Sequence, residues 1–191
     1  MALLTTPPLE LNQDPPDFSL PGVDGKTHSL SDFPVGTPMI IMFICNHCPY
    51  VKAIEDRLIQ LAHDCARLKV PVIGISANDP IDYPEDSFSE MKVRAEKKNY
   101  PFLYLFDESQ EVARAYGAVC TPDFFVYDRA HKLAYRGRLD DSWKDPTQVT
   151  RRELWEAVQM LSAPQSTGTA LTNQKPSMGC SIKWKKANPS C

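Results

Sequence analysis

The sequence predicts one α/β domain: a central mixed β-sheet flanked by helices, with an N-terminal β-hairpin extension. Three observations predict it. Residues 37–44 and 70–77 are nearly continuous apolar runs, as expected of strands buried on both faces. Between them Val51, Ile54, Leu58, Leu61, Ala62, Cys65 and Leu68 recur at spacings of three and four, which is one face of a helix. Residues 124–127 and 133–139 flank Asp128-Arg129-Ala130-His131-Lys132 and read as an antiparallel pair, with His131 facing solvent at the turn.

Taken in order, residues 1–16 are a proline-rich, extended lead-in, 17–162 the folded domain, and 163–191 a linker with a basic, cysteine-containing tail. Residues 18–20 and 27–30 flank Pro21-Gly22-Val23-Asp24-Gly25, a hairpin with Asp-Gly turn chemistry. After the two buried strands, residues 78–87 are rich in turn formers and acids. Leaving the carboxyl end of a strand, this loop reads as solvated and as the N-cap of a helix over 85–99, with a recognition edge as the alternative. A strand over 102–106, a short helix over 108–116 closed by Gly117, and a last helix over 147–161 complete the domain. Asp140 and Asp141 read as capping acids at the entry to that last helix, with a cation site or a partner-positioning pair as the alternative. Residues 162–177 have linker composition. In the basic tail, Ile182 and Trp184 alternate with lysines as on a short edge strand. One reading is that 179–185 folds back and carries Cys180 toward the chemistry; the other is a tail that packs with Cys180 far from the dithiol or docks on a partner.

The chemistry is expected at Cys45-Asn46-His47-Cys48-Pro49, at the exit of the first buried strand and the start of a helix. A helix N-terminus presents unpaired N–H groups and partial positive charge, which favours a reactive thiolate. Two cysteines with two residues between them form a dithiol suited to electron exchange. Half of a zinc site is the competing reading, but zinc needs four ligands. Cys65, Cys120, Cys180 and Cys191 make no second pair, and the histidines make no H-x-x-x-H set. No metal and no cofactor are therefore expected. Cys65 lies on the apolar helical stripe and reads as core, and His63 as solvated.

A resemblance adds to this. Cys120-Thr121-Pro122, followed by a strand, is similar to the cis-proline loop that faces the dithiol in the thioredoxin superfamily. Pro16-Asp17-Phe18-Ser19-Leu20 and residues 25–33 resemble the AhpC/TSA–peroxiredoxin branch. The resemblance covers about residues 14–162 and implies a thioredoxin-like fold. It implies that Cys45 is the exposed nucleophile, Cys48 the resolving thiol, and Thr121 and Pro122 the backbone platform for an extended thiol substrate. His47 occupies the place it has in the C-x-H-C of disulfide isomerases and DsbA, which implies a thiolate-stabilising role and a potential above that of thioredoxin. Cys120 and Cys180 are candidate additional redox thiols. Two departures matter: Met39 stands where thioredoxins have a buried acid, and Ile44 where they have Trp.

The function implied is a thiol–disulfide oxidoreductase acting on protein or small thiol substrates and served by an electron-donor thiol system. One alternative is a peroxiredoxin-like thiol peroxidase, with the peroxidatic cysteine at Cys48 and Cys45 in the family's Thr position. No arginine lies at the 120–122 loop, so Arg114, Arg129 or Arg138 would have to supply the activating charge. The other alternative is a non-catalytic redox sensor or binding module. A net charge of −3 gives no reason to expect nucleic acid, and no run approaches a membrane span. The first residues lack a signal-peptide pattern, and six cysteines without one point to a reducing cytoplasm or organelle stroma. The pattern leaves the oligomeric state open.

Overall fold

The structure, a computed structural model, describes residues 3–7, 10–163 and 173–186. In chain order its elements are β1 (Leu3–Thr5), the hairpin β2 (Ser19–Pro21) and β3 (Thr27–Ser29), β4 (Met39–Phe43), α1 (Pro49–Arg67), β5 (Val72–Ser76), α2 (Phe88–Lys98), β6 (Leu103–Phe106), α3 (Glu111–Ala115), β7 (Cys120–Thr121), β8 (Asp123–Tyr127), β9 (Leu133–Gly137), α4 (Glu153–Ser162) and β10 (Met178–Ser181).

The central sheet runs β6-β5-β4-β8-β9. Strands β4, β5 and β6 are parallel, whereas β8 is antiparallel to β4 and β9 to β8, so the sheet is mixed. Its apolar strands feed two cores, because successive side chains point to opposite faces. Ile40, Met42 and Ile44 pack under α1, α2 and α4, against Val51, Ile54, Leu58, Met91, Leu154 and Val158. Met39, Ile41 and Phe43 pack against α3 and the hairpin, through Tyr116, Val112, Phe18 and Leu20. Each such apolar side chain contributes about 1.5–3 kcal/mol when removed from water. Cys65 is buried in the α1 stripe and its thiol is pushed up to about 12 by burial and the neighbouring Asp64 carboxylate, so it serves as core. His63 is exposed.

A second sheet, β1-β10-β7, is antiparallel throughout. It ties the N-terminal segment and the tail to the 120–122 loop. Residues 173–177, expected within a linker, run beside β9 instead. The Arg138 N–H donates to the Lys175 carbonyl at 3.0 Å, and Ser177 Oγ to the Gly137 carbonyl at 3.0 Å. The rest of the expected linker, 164–172, and Cys191 lie outside the described residues. Among the described residues no helix is long and apolar enough to cross a membrane.

Three helices start later than their periodicity suggests, each for a local reason. Pro84 opens a 3-10 turn and Ser87 then caps α2, accepting from the Glu90 N–H. Gln110 sits in the left-handed region (φ 66°), so α3 begins after it. Asp141 accepts from Thr150 and Arg151 N–H groups and from the Thr150 hydroxyl, which holds 149–151 out of helix until α4 begins. Asp140 instead pairs with Arg57 of α1. His131 corrects an expectation. It is buried, because the lead-in crosses the β8–β9 turn, where Asn12 and Gln13 bond Leu133 and Asp14 pairs with Lys132.

Candidate active site

Cys45 leaves the end of β4 and Cys48 is the N-cap of the 19-residue helix α1, with Pro49 in its first turn. Proline suits that position, since its missing N–H would have no partner there. The two residues between the cysteines are held by a side chain from elsewhere. Asp86, 0% exposed, accepts from the Asn46 N–H at 2.8 Å, the His47 N–H at 3.0 Å and the Asn78 amide at 2.8 Å, and also bonds His47 Nδ1. Asn46 donates to the Glu85 carbonyl at 2.8 Å and accepts from the Tyr104 hydroxyl at 3.1 Å. Tyr83 stacks on the His47 ring with centroids 4.4 Å apart. The 78–87 loop thus clamps the dithiol loop. Burial alone would raise the Asp86 carboxyl, but the His47 and Asn78 bonds hold it below the usual carboxylate range.

The 120–122 loop faces the sulfurs, and its Thr121–Pro122 bond is cis, as the resemblance implied. Cys45 Sγ lies 3.4 Å from Thr121 Oγ1 and 3.8 Å from His47 Nδ1. Cys48 Sγ lies 3.1 Å from the Thr121 carbonyl oxygen, to which it donates while protonated. Hydrogen bonds favour its deprotonated form, from the Cys45 thiol above all, then from the Thr121 hydroxyl and the N–H groups of Val51 and Cys180. They outweigh burial, and the Cys48 thiol is pushed down to about 5. Cys45 is pushed well up by burial, by the Cys48 sulfur and by the Asp86 carboxylate.

Cys45, expected to be the exposed nucleophile, is 2% exposed, and Cys48 is 0% exposed. The site is closed in this structure, and of its two sulfurs it is Cys48 whose surroundings favour the thiolate. A thiolate absorbance near 240 nm is expected to titrate with a midpoint about 5 and to vanish in Cys48→Ser. In Cys45→Ala the midpoint is expected to rise, because the strongest donor to Cys48 is removed. A midpoint that stays near 5 in Cys48→Ser would place the charge on Cys45.

Cys120 is buried, lies 3.8 Å from the Pro122 carbonyl, and is kept protonated by burial and by Asp123. Cys180 lies on β10 directly opposite Thr121. Its thiol donates to the Cys48 sulfur and is pushed up to about 11, by burial first and then by Cys48. The arginines singled out in the sequence are engaged elsewhere. Arg114 lies over the Trp184 ring, Arg129 donates to the Ser162 carbonyl, and Arg138 pairs with Glu153. The Cys45 sulfur and donor atoms of His47 and Asp86 lie within 4.8 Å of one another, a spacing a metal ion accepts. The carboxylate, however, has about four lone-pair positions, and the N–H groups of Asn46, His47 and Asn78 and the His47 ring nitrogen take them up.

Sequence reasoning missed Asp86 and Tyr83, which it placed in a solvated loop, and Asp123, the residue after the cis-proline. Asp123 pairs with Arg136 at 2.8 Å inside the protein, and burial raises its carboxyl to about 6. A Pro-Glu-Asp turn beginning eight residues after a buried strand was the only available sign of Asp86.

A dithiol at a helix N-terminus, facing a cis-proline loop on a mixed sheet, defines a thioredoxin-like redox protein. The AhpC/TSA family profile matches residues 11–136, and the chain belongs to that family. An uncharacterized conserved protein from Geobacillus kaustophilus is 43% identical, with 98% of this chain and 99% of that chain covered and a TM-score of 0.91. A thiol:disulfide interchange protein of the thioredoxin family from Chlorobium tepidum shares the fold at 19% identity, covering 80% and 97% of the two chains with a TM-score of 0.63. The chloroplastic peroxiredoxin Q of Populus jackii is 31% identical over 106 residues, which are 55% of this chain and 46% of that protein. The chain thus spans about half the length of that curated relative.

Proposed function

We propose that the protein is a thiol–disulfide oxidoreductase whose exchanging couple is Cys45/Cys48, acting on thiol and disulfide groups of proteins or small molecules. The observation that carries this reading is the placement of both thiols at the head of α1, each facing Thr121 of the cis-proline loop: Cys45 Sγ lies 3.4 Å from its hydroxyl and Cys48 Sγ 3.1 Å from its carbonyl oxygen. With Met39 in place of a buried acid, the proton acceptor for Cys45 is the Cys48 thiolate. Cys45 gives its proton to Cys48 and attacks a substrate disulfide. The first substrate thiolate leaves with that proton, and Cys48 is a thiolate again. Cys48 then attacks the Cys45 sulfur, breaks the mixed disulfide and releases the second thiolate. The substrate gains two electrons and the protein holds a Cys45–Cys48 disulfide. His47, held by Asp86 and 3.8 Å from Cys45, orients the loop that carries both sulfurs.

Turnover of insulin or a small aromatic disulfide tests the reading. Cys45→Ser is expected to lose turnover, and Cys48→Ser to accumulate a mixed disulfide with the substrate, detectable by intact mass. Wild-type rates in Cys45→Ser would overturn it.

One feature favours a second reading, thiol peroxidase: the hydrogen bonds gathered around Cys48 favour its thiolate, at the position that resembles the peroxidatic cysteine. The engagement of Arg114, Arg129 and Arg138 elsewhere weighs against it. Oxidation of a dithiol donor that depends on added hydroperoxide and on Cys48 would favour this alternative.

A further inference from the structure

The edge of β7 beside the dithiol is where an extended substrate would pair, and in this structure it is occupied. Strand β10 runs antiparallel along it, with Cys180 opposite Thr121 and Ser181 opposite Cys120. The approach is close: a Cβ at Gly179 would stand 1.9 Å from the Thr121 carbonyl oxygen. Cys180 is buried in one cluster with Cys45 and Cys48, and its thiol and backbone N–H both address the Cys48 sulfur. Beyond β10 the chain stays docked. The Lys183 N–H donates to Asn78 Oδ1 at 2.8 Å, its carbonyl accepts from the Gln110 amide at 2.8 Å, and the Lys185 N–H donates to Gln110 Oε1 at 2.7 Å. Ile182 is buried and Trp184 lies under Arg114. The segment 178–185 is therefore laid in as an internal occupant of the substrate edge, with a cysteine at the position facing the reacting sulfurs.

We propose that Cys180 is a third exchange thiol, an internal client that moves the disulfide from Cys45–Cys48 to Cys48–Cys180 and so staples the tail over the site. This rests on the exchange reading of Cys45 and Cys48. The step is an isomerisation. The Cys180 sulfur attacks Cys48 Sγ, the Cys45–Cys48 bond breaks, and Cys45 leaves as a thiolate that takes the Cys180 proton. No electrons enter or leave the protein. The product holds β10 covalently on α1 with the substrate edge filled, and a reducing thiol that breaks Cys48–Cys180 frees the strand to yield that edge.

The test uses the full chain in a Cys45→Ser background, where Cys48 has lost its other partner. One equivalent of diamide, followed by acid quench, alkylation and peptide mapping, is expected to give a Cys48–Cys180 cross-link within the monomer. It is expected to form at least tenfold faster than any Cys48 cross-link in Cys45→Ser/Cys180→Ser, with circular dichroism confirming that both variants fold. Wild type treated in the same way reports the underlying reading through its Cys45–Cys48 peptide and its turnover. If wild type makes that bond and turns over substrate while Cys45→Ser yields only diamide adducts or intermolecular dimers, the Cys180 step is overturned and the exchange reading stands. If wild type makes no Cys45–Cys48 bond and reduces no disulfide, the exchange reading falls and the Cys180 step falls with it.

Discussion

Asp86→Ala is expected to lose about 3–5 kcal/mol of folding stability, the cost of removing one partner from a buried charged network. The carboxylate is 0% exposed and takes hydrogen bonds from two backbone N–H groups of the dithiol loop, from the Asn78 amide and from the His47 ring. Alanine leaves all of them without an acceptor, and a buried unsatisfied donor costs about 1–3 kcal/mol. The loop carrying Cys45 and Cys48 then loses its fixed geometry, so the disulfide exchange proposed for it is expected to fall with stability. Asp86→Asn keeps one acceptor oxygen but turns an NH2 toward groups that themselves donate, and is expected to fall between wild type and Asp86→Ala. The pH dependence separates charge from shape. The folded carboxyl is held below its ordinary value of 3.8, so its contribution is present above that pH and is lost as pH falls through the lower folded value. Wild type is expected to show this acid-side loss, and Asp86→Asn to lack it. Urea melts between pH 2 and 7 measure both. A loss under about 1 kcal/mol in Asp86→Ala would show that the loop holds itself. A double-mutant cycle with His47→Ala isolates the share carried by the ring contact.

The same residue shows where sequence reasoning stops. The apolar run, the cysteine spacing and the three-and-four stripe are local patterns, and β4, the dithiol and α1 follow from them. Asp86 stands among Asp79, Asp82 and Glu85 in a stretch whose composition is that of a solvated loop. What turns it inward is the 3-10 turn from Pro84 and the pair of N–H groups waiting at Asn46 and His47, a tertiary match that no local period reveals. The late start of α4 has a related origin: Asp141, expected to cap the helix, instead captures Thr150 and Arg151 ahead of it, and α4 starts from Arg152 with no side-chain cap. His131 is polar and at a turn, yet a lead-in more than a hundred residues earlier in the chain covers it. The tail was legible in part, since Ile182 and Trp184 alternate with lysines. Its place between β1 and β7 depends on pairings across nearly the whole chain.

Gly179→Ala is expected to expel β10 from that place. The position needs glycine for space: an added Cβ would meet the Thr121 carbonyl oxygen at 1.9 Å and its carbon at 2.6 Å, both backbone atoms that cannot swing aside. A shift of more than 1 Å would break the Cys180–Thr121 register and move the loop that holds both sulfurs. Leaving is the easier course, and what is lost is then bounded. Burial of Ile182 contributes about 1.5–3 kcal/mol, and the backbone bonds to β1 and β7 add to it. Ordering the tail had opposed these terms by about 1–2 kcal/mol per residue. A net loss of about 3 kcal/mol corresponds to a fall in Tm of about 6–12 °C for a chain of this size. The larger effect is on reactivity. With β10 gone, Cys48 loses the N–H and thiol donors of Cys180 and gains solvent. Alkylation of the dithiol by iodoacetamide at pH 7 is then expected to accelerate at least tenfold, while Cys65, buried in α1, stays protected. Gly179→Ala that melts and alkylates like wild type would mean that β10 does not close the site. Removal of residues 178–191 reproduces the open state without any clash, and is expected to match the alanine variant in alkylation rate.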